Sequence, residues 1–289
     1  MGDSTSSPWT RRTWLQGLGA SALVGGGWAQ SVRAAESVGP TDADLVRAFT
    51  SWRQHSKQPF ALPDVAARAT LLEGKVLKRR LPPRNGAPDG AMALVIVSHS
   101  QADMWLGSAD GEHIGGGTAE GDLITYDLPK QGDEMFRWYG LVDLPMPFSD
   151  RHFVIRTTVN SAMSRATGGA CWERTWVLEK DGLETMRPLV AAGKVKRLTL
   201  ERFEEAIYVP ANIGGWLSIK LPGNKTLFGY HASSSAGGDI PDKAVNRLVF
   251  WGLGRLMADV TGHAARMRVH YVAGHTPIKS GDGGTVPLY

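Results

Sequence analysis

The feature that most constrains this chain is a change of period. Four segments, 123–128, 135–144, 152–160 and 171–179, follow one another, each bounded by Gly, Pro, Asp or Asn. That spacing predicts consecutive antiparallel hairpins. A further hairpin, 216–221 with 226–233, is predicted around the turn Pro222-Gly223-Asn224. From 240 to 262 the pattern becomes helical. Val245, Leu248, Val249, Gly252, Leu256, Met257 and Val260 recur at three- and four-residue steps. Pro241 stands near the start, where its missing N–H does least harm, and Gly262 is placed to end the helix. Strands closed by one long amphipathic helix make an α+β pattern. The 35 glycines and 16 prolines also favour turns and strands over a helical bundle.

The N-terminal half fits the same class. A helix is predicted over 42–55, with Thr41 as N-cap and Leu45, Val46, Phe49 and Trp52 on one side, ended by Pro59 and Pro63. Two strands, 76–81 and 91–97, precede a short helix over 101–107. The stretch 195–207 has no clear period. The glycine-rich tail 277–289 is expected to be loosely held.

Composition excludes several classes. There is one cysteine, Cys171, so no internal disulfide, thiolate zinc site or iron–sulfur cluster can form. A buried, inert thiol is its default reading. The formal charge is +4, and Arg11, Arg12, Arg33 and Asp3 all lie in the first 34 residues. The rest is nearly balanced, so no nucleic-acid partner is expected. No Gly-x-Ser-x-Gly elbow, phosphate loop or HExxH occurs, and Gly115 to Gly117 is a glycine cluster without a dinucleotide-binding context. His270 and His275 are five apart, not the four of a helical zinc pair. With His263 they are read as a surface cluster.

The first 34 residues resemble an address. Thr10-Arg11-Arg12-Thr13-Trp14-Leu15-Gln16 is similar to the bacterial twin-arginine export signal, with Trp14 and Gln16 where Phe and Lys are usual. The apolar run 15–28 is too short and glycine-rich to span a membrane, which needs about 20 apolar residues. Val32-Arg33-Ala34 fits a cleavage site after Ala34. The expected organisation is a signal peptide 1–34, a single domain 35–276 and a flexible tail 277–289, in a periplasmic protein. A basic leader in a cytoplasmic protein is the alternative.

Alternation assigns faces to the central strands. Phe136, Trp138 and Val142 share one side of their strand, and Phe153, Ile155, Thr157 and Val159 share one side of the next. Trp172, Trp176 and Leu178 share a side with Arg174 among them. An apolar sheet face against an apolar helix stripe is by default a packed core. If the sheet curls round the helix, the same pattern lines a ligand cavity.

Pro147-Phe148-Ser149-Asp150-Arg151-His152-Phe153-Val154, the aromatic hairpin around Trp216 and Leu227, and Gly237-Gly238-Asp239-Ile240-Pro241 with Val245-Asn246 resemble motifs of START domains. These are lipid-transfer modules of the helix-grip superfamily, and the resemblance covers about 42–263. His152 and Asp239 depart from the Asp and Trp usual in the family. The resemblance implies a helix-grip fold: a curved antiparallel sheet wrapped around a long C-terminal helix with a hydrophobic cavity between them. It implies one sterol, phospholipid or similar lipid as ligand, no cofactor or metal, no reaction, a monomer and transient contact with a membrane surface. The expected lining is Phe136, Trp138, Val142, Phe153, Ile155, Thr157, Arg174, Trp176, Leu248, Gly252 and Leu256. Thr157 and Arg174 are candidate head-group partners, or an outward Thr and a solvated Arg. Gly237-Gly238 would serve the C-terminal helix as hinge or tight turn. Two alternatives stand beside this reading. One is a helix-grip cyclase or hydrolase with Asp150, His152 and Glu173 as acid–base groups. The other is an interaction module docking partners on its edge strands.

Overall fold

In the computed structural model the N-terminal elements are set by their caps. Thr41 and Asp44 form a capping box on α1 (Asp42–His55), which buries Leu45, Phe49 and Trp52 along one stripe. The Asp64 carboxylate accepts from the Ala67 amide and opens α2 (Val65–Leu72). A second capping box, Ser100 with Asp103, starts α3 (Gln101–Ala109). The structure describes residues 39–83, 86–110, 123–132, 134–144 and 147–289. The export signal and Gly115 to Gly117 lie outside them.

The remaining elements are β1 (Leu77–Leu81), β2 (Gly90–Val97), β3 (Leu123–Asp127), β4 (Glu134–Val142), β5 (Arg151–Val159), α4 (Ser161–Ala166), β6 (Cys171–Leu178), α5 (Gly182–Ala191), α6 (Leu200–Glu205), β7 (Ile207–Tyr208), β8 (Ala211–Leu221), β9 (Lys225–Ser235), α7 (Asp242–Ala264) and α8 (Met267–His270). The strands form one sheet in the order β1-β2-β9-β8-β6-β5-β4-β3. All neighbours on that path are antiparallel, and the two-residue β7 runs parallel to the start of β5. The β8–β9 hairpin turns where expected, with Gly223 and Asn224 at φ 72° and 53°. This is a helix-grip arrangement: a curved sheet with α7 laid across one face, here called the inner face.

The outer face carries two ordinary cores. Over β2, β9, β8 and β6, Leu45, Phe49 and Trp52 of α1 and Leu71 of α2 meet Met92, Leu94, Leu217 and Leu227. Over β4 and β5, Met186 and Val190 of α5 and Phe203 of α6 meet Tyr139, Leu141 and Val154. On the inner face α7 lies over β1, β2 and β9 and against α3. Leu253, Met257, Val260 and Ala264 pack there on Ala91, Ala93, Val95 and Phe228.

Two expectations change. α7 continues through Gly262 to Ala264, and its cap is Ala265. A glycine facing open space neither bends nor ends a helix whose next turn is anchored by a buried Ala264. The segment 277–289, expected to be loose, is docked. Ile278 and Val286 are buried, and the Trp105 indole donates to the Lys279 carbonyl at 2.7 Å. The Tyr271 hydroxyl donates to the Val286 carbonyl and accepts from the Ile278 amide, both at 2.9 Å. Glycine content describes local freedom and says nothing of such tertiary anchors.

Candidate functional site

The residues expected to line a cavity are brought side by side by strand register. Phe136 faces Thr157, Trp138 faces Ile155, and Thr157 faces Trp176 across β4, β5 and β6. Arg174 faces Trp216 and Trp216 faces Tyr230 across β6, β8 and β9. Trp138 meets Phe153 edge to face at 5.4 Å, and Trp216 lies 4.6 Å from Tyr230 and 5.3 Å from Phe228. The Trp176 indole donates to the Asn212 side chain at 2.9 Å and leans across β8. Position 214 must be glycine for this, because a Cβ there would lie 2.1 Å from the Trp176 ring.

Ile155, Thr157, Arg174 and Trp176 are buried, whereas Phe136, Trp138, Val142, Phe153 and Leu256 are half-buried. The side chain of Leu248 lies outside the described residues. Gly252 is corrected: it is exposed, on the solvent side of α7, and the inward stripe runs instead through Val249, Leu253, Met257, Val260 and Ala264. Trp216 and Tyr230 belong to the site and were not among the expected lining. Alternation along β8 and β9 carried that signal, since both share the face of Gly214 and Ala232.

Arg174 is the chemically distinctive member. It is 2% exposed and lies between the rings of Trp105, at 4.9 Å, and Trp216, at 5.5 Å. One terminal nitrogen donates to the Ser108 carbonyl at 2.6 Å. The other, Nη1, is buried with no hydrogen-bond partner among the described residues. Burial pulls the guanidinium down to about 9, which still leaves it a cation at neutral pH. No acidic side chain among the described residues contributes to that shift. A buried cation lacking a counter-charge is costly, and an anion or strong acceptor placed beside it would offset the cost.

Tyr230 adjoins this group through the Trp216 ring. Burial alone pushes its phenol up to about 12, yet its side chain keeps accessible surface. The hydroxyls of Tyr230 and Thr157 make no hydrogen bond to another described residue. One guanidinium nitrogen and two hydroxyls are therefore without a partner among the described residues, on a largely aromatic surface.

The approach to α7 is latched from β5. Arg151 donates from Nε to the Ala236 carbonyl at 2.6 Å and from Nη2 to the Gly237 carbonyl at 3.1 Å. Gly237 and Gly238 have φ of 65° and 59°, two consecutive left-handed residues that side chains rarely tolerate. Beside them a depression of about 600 Å³ is bordered by Ala87, Pro88, Pro210, Ala211, Ser235 and Asp242.

The groups considered for acid–base work do not converge. Asp150 pairs with Arg202 at 2.7 Å. His152 is wedged among Tyr139, Phe203 and Tyr208, with Nδ1 3.1 Å from the Tyr139 hydroxyl. Glu173 accepts from the Trp52 indole, the Ser56 hydroxyl, the Lys57 amide and Asn160. Each is held by a different set of partners, and none of those named lies on α7. Cys171 is buried, and burial pushes its thiol up to about 11. His263, His270 and His275 do gather, but in the interior, around Asp110.

No family model matches the chain, and no curated protein matches it in sequence. Among solved structures it is similar to human STARD10, at 12% identity and a TM-score of 0.45, covering 73% of this chain and 83% of that one. It is similar to human StAR-related lipid transfer protein 5, at 13% identity and 0.46, covering 66% and 82%. A StAR-related lipid transfer protein from Xanthomonas axonopodis is similar at 19% identity and 0.44, covering 67% and 94%.

Proposed function

We propose that this chain binds one amphiphilic molecule, a sterol, phospholipid or similar lipid, between the inner sheet face and α7. In this reading it carries that molecule through the periplasm, as a monomer in transient contact with membranes, and does not alter it. The observation that carries the reading is Arg174, a desolvated cation with a free donor inside an aromatic surface. Its guanidinium would take the acidic or acceptor end of the ligand, and the Tyr230 and Thr157 hydroxyls would take any further head-group oxygen. The rings of Trp138, Phe153, Trp176 and Trp216 would cover the apolar body. About 400 Å² of apolar ligand surface removed from water is worth about 10 kcal/mol before the costs of binding. A charge-assisted hydrogen bond to the head adds about 1.5–3 kcal/mol. The carrier is preferred to the catalytic alternative because Asp150, His152 and Glu173 are held in outer-face and surface contacts.

Native mass spectrometry of gently purified protein tests this. One hydrophobic molecule per chain, recovered unchanged after incubation, is the expected result. A chemically altered product would favour the cyclase or hydrolase, and no ligand after exposure to lipid vesicles would favour an interaction module. Arg174→Met should weaken binding of an anionic amphiphile by about 10- to 100-fold, as the lost charge-assisted bond implies. A neutral sterol should be much less affected. Equal affinity for the anionic probe in a folded Arg174→Met protein would remove Arg174 from the site.

A further inference from the structure

A second polar cluster lies away from the aromatic surface, where the ends of three helices meet. Asp110 is the C-cap of α3, His263 stands in the last turn of α7, and His270 is the last residue of α8. Asp110 is fully buried, His263 is buried and His270 half-buried. One side-chain ligand atom from each falls within 4.8 Å of the other two. His263 Nε2 and Asp110 Oδ2 are 3.1 Å apart. Donors at about 2.0–2.1 Å from a tetrahedral zinc lie about 3.3 Å from one another, so this pair needs no adjustment and the third a modest one.

The other carboxylate oxygen is also held. His275 Nε2 lies 3.1 Å from Asp110 Oδ1, and its Nδ1 lies 2.7 Å from the Thr276 carbonyl. Imidazoles thus stand against both Asp110 oxygens, and the third, His270, brings a ring nitrogen within 4.8 Å of the same group. A further observation favours a cation independently. The C-terminal ends of α3 and α7 both reach the cluster and bring the negative ends of their dipoles. Arg266 opposes this with a positive charge near His263, which makes the Asp110 carboxylate essential to any metal held there.

We propose that Asp110, His263 and His270 bind one divalent transition metal, with zinc best suited to this nitrogen–oxygen donor set, and that His275 orients the carboxylate from behind. The described residues supply three of the four ligands that a tetrahedral zinc takes. The ion joins α3, α7 and α8, the assembly on which the docked C-terminal segment rests. The site is independent of the lipid-binding reading and does not involve the inner-face aromatic residues.

The test uses the full chain, made without a polyhistidine tag, stripped with chelator and dialysed. Titration with Co²⁺ should show one equivalent bound, with visible absorption of a low-symmetry site, displaced by one equivalent of Zn²⁺. Zinc should raise the melting temperature. Asp110→Asn and His270→Ala should each weaken binding at least 100-fold and abolish the thermal shift, while His55→Ala, at an exposed histidine elsewhere, should change neither. X-ray absorption of the zinc-loaded native chain should count two imidazoles whether or not a variant folds. No stoichiometric cobalt binding at about 10 µM, a bound ion without imidazole ligands, or undiminished binding in folded Asp110→Asn protein would each overturn the proposal.

Discussion

The two faces of one sheet are both rich in large apolar side chains, and they are finished differently. On the outer face Trp52, Phe49, Leu94, Tyr139 and Phe203 are at most 1% exposed, each covered by a helix. On the inner face Trp138, Phe153, Trp216 and Tyr230 keep accessible surface although they lie against each other. The charged side chains divide in the same way. Outer-face Glu173 accepts four hydrogen bonds, and Arg137 meets Glu179 through two, at 2.8 and 2.7 Å. Inner-face Arg174 has an unmatched nitrogen. Hydrophobicity alone does not tell a core from a binding surface; what tells them apart is whether the chain supplies the partner.

The comparison breaks most decisively at Phe203. Its ring is 1% exposed and packs on Tyr139 and His152. Phe203→Ala should cost about 3–5 kcal/mol of stability by urea unfolding, from lost transfer energy and the cavity left behind. Ligand stoichiometry of the protein that stays folded should be unchanged. A loss under about 1 kcal/mol would mean that the outer face is no tighter than the inner one.

A smaller effect follows from pH. Burial holds the His152 imidazole down to about 4, whereas an exposed histidine titrates near 6.5. The unfolded chain therefore binds a proton that the folded chain refuses. Stability is full above about pH 6.5 and declines as the pH falls towards 4, by at most about 3 kcal/mol. Urea midpoints at pH 7.5 and 5 should differ by less in His152→Phe than in the native chain. An identical difference would assign the pH dependence to other groups.

Much of this architecture was legible because its signals are periodic. Alternation placed β4, β5, β6, β8 and β9, and three- and four-residue steps placed α1 and α7. It failed where the determinants are tertiary. α2 follows Pro59 and Pro63 closely and was assigned no element, and α5 carries Pro188 inside it. α6 is a six-residue helix capped by Thr199 within a stretch without period. At the site, alternation put Trp138, Phe153, Thr157, Arg174 and Trp176 on one face, which the register bears out. Gly252 was misplaced because a helical stripe read in steps of three or four admits a neighbouring line of residues. That no described residue supplies a counter-charge to Arg174 had no sequence signal, since pairing is a property of the assembled fold.

The finest test is Trp138. If it belongs to a core, Trp138→Ala should behave like Phe203→Ala. If it belongs to a binding surface, the folded protein loses little, because the indole is half-buried and its ring contact is the edge-to-face pair with Phe153. Such a pair is worth about 0.5–1.5 kcal/mol beyond area burial. The expected loss of stability is therefore about 1 kcal/mol, well below that at Phe203. Uptake of a fluorescent lipid should nevertheless fall about tenfold, since the ligand loses a flat apolar wall. The decisive quantity is the ratio of the two effects. A large stability loss with unchanged uptake would turn the inner aromatic surface into an ordinary, loosely packed core and leave Arg174 as a structural cation.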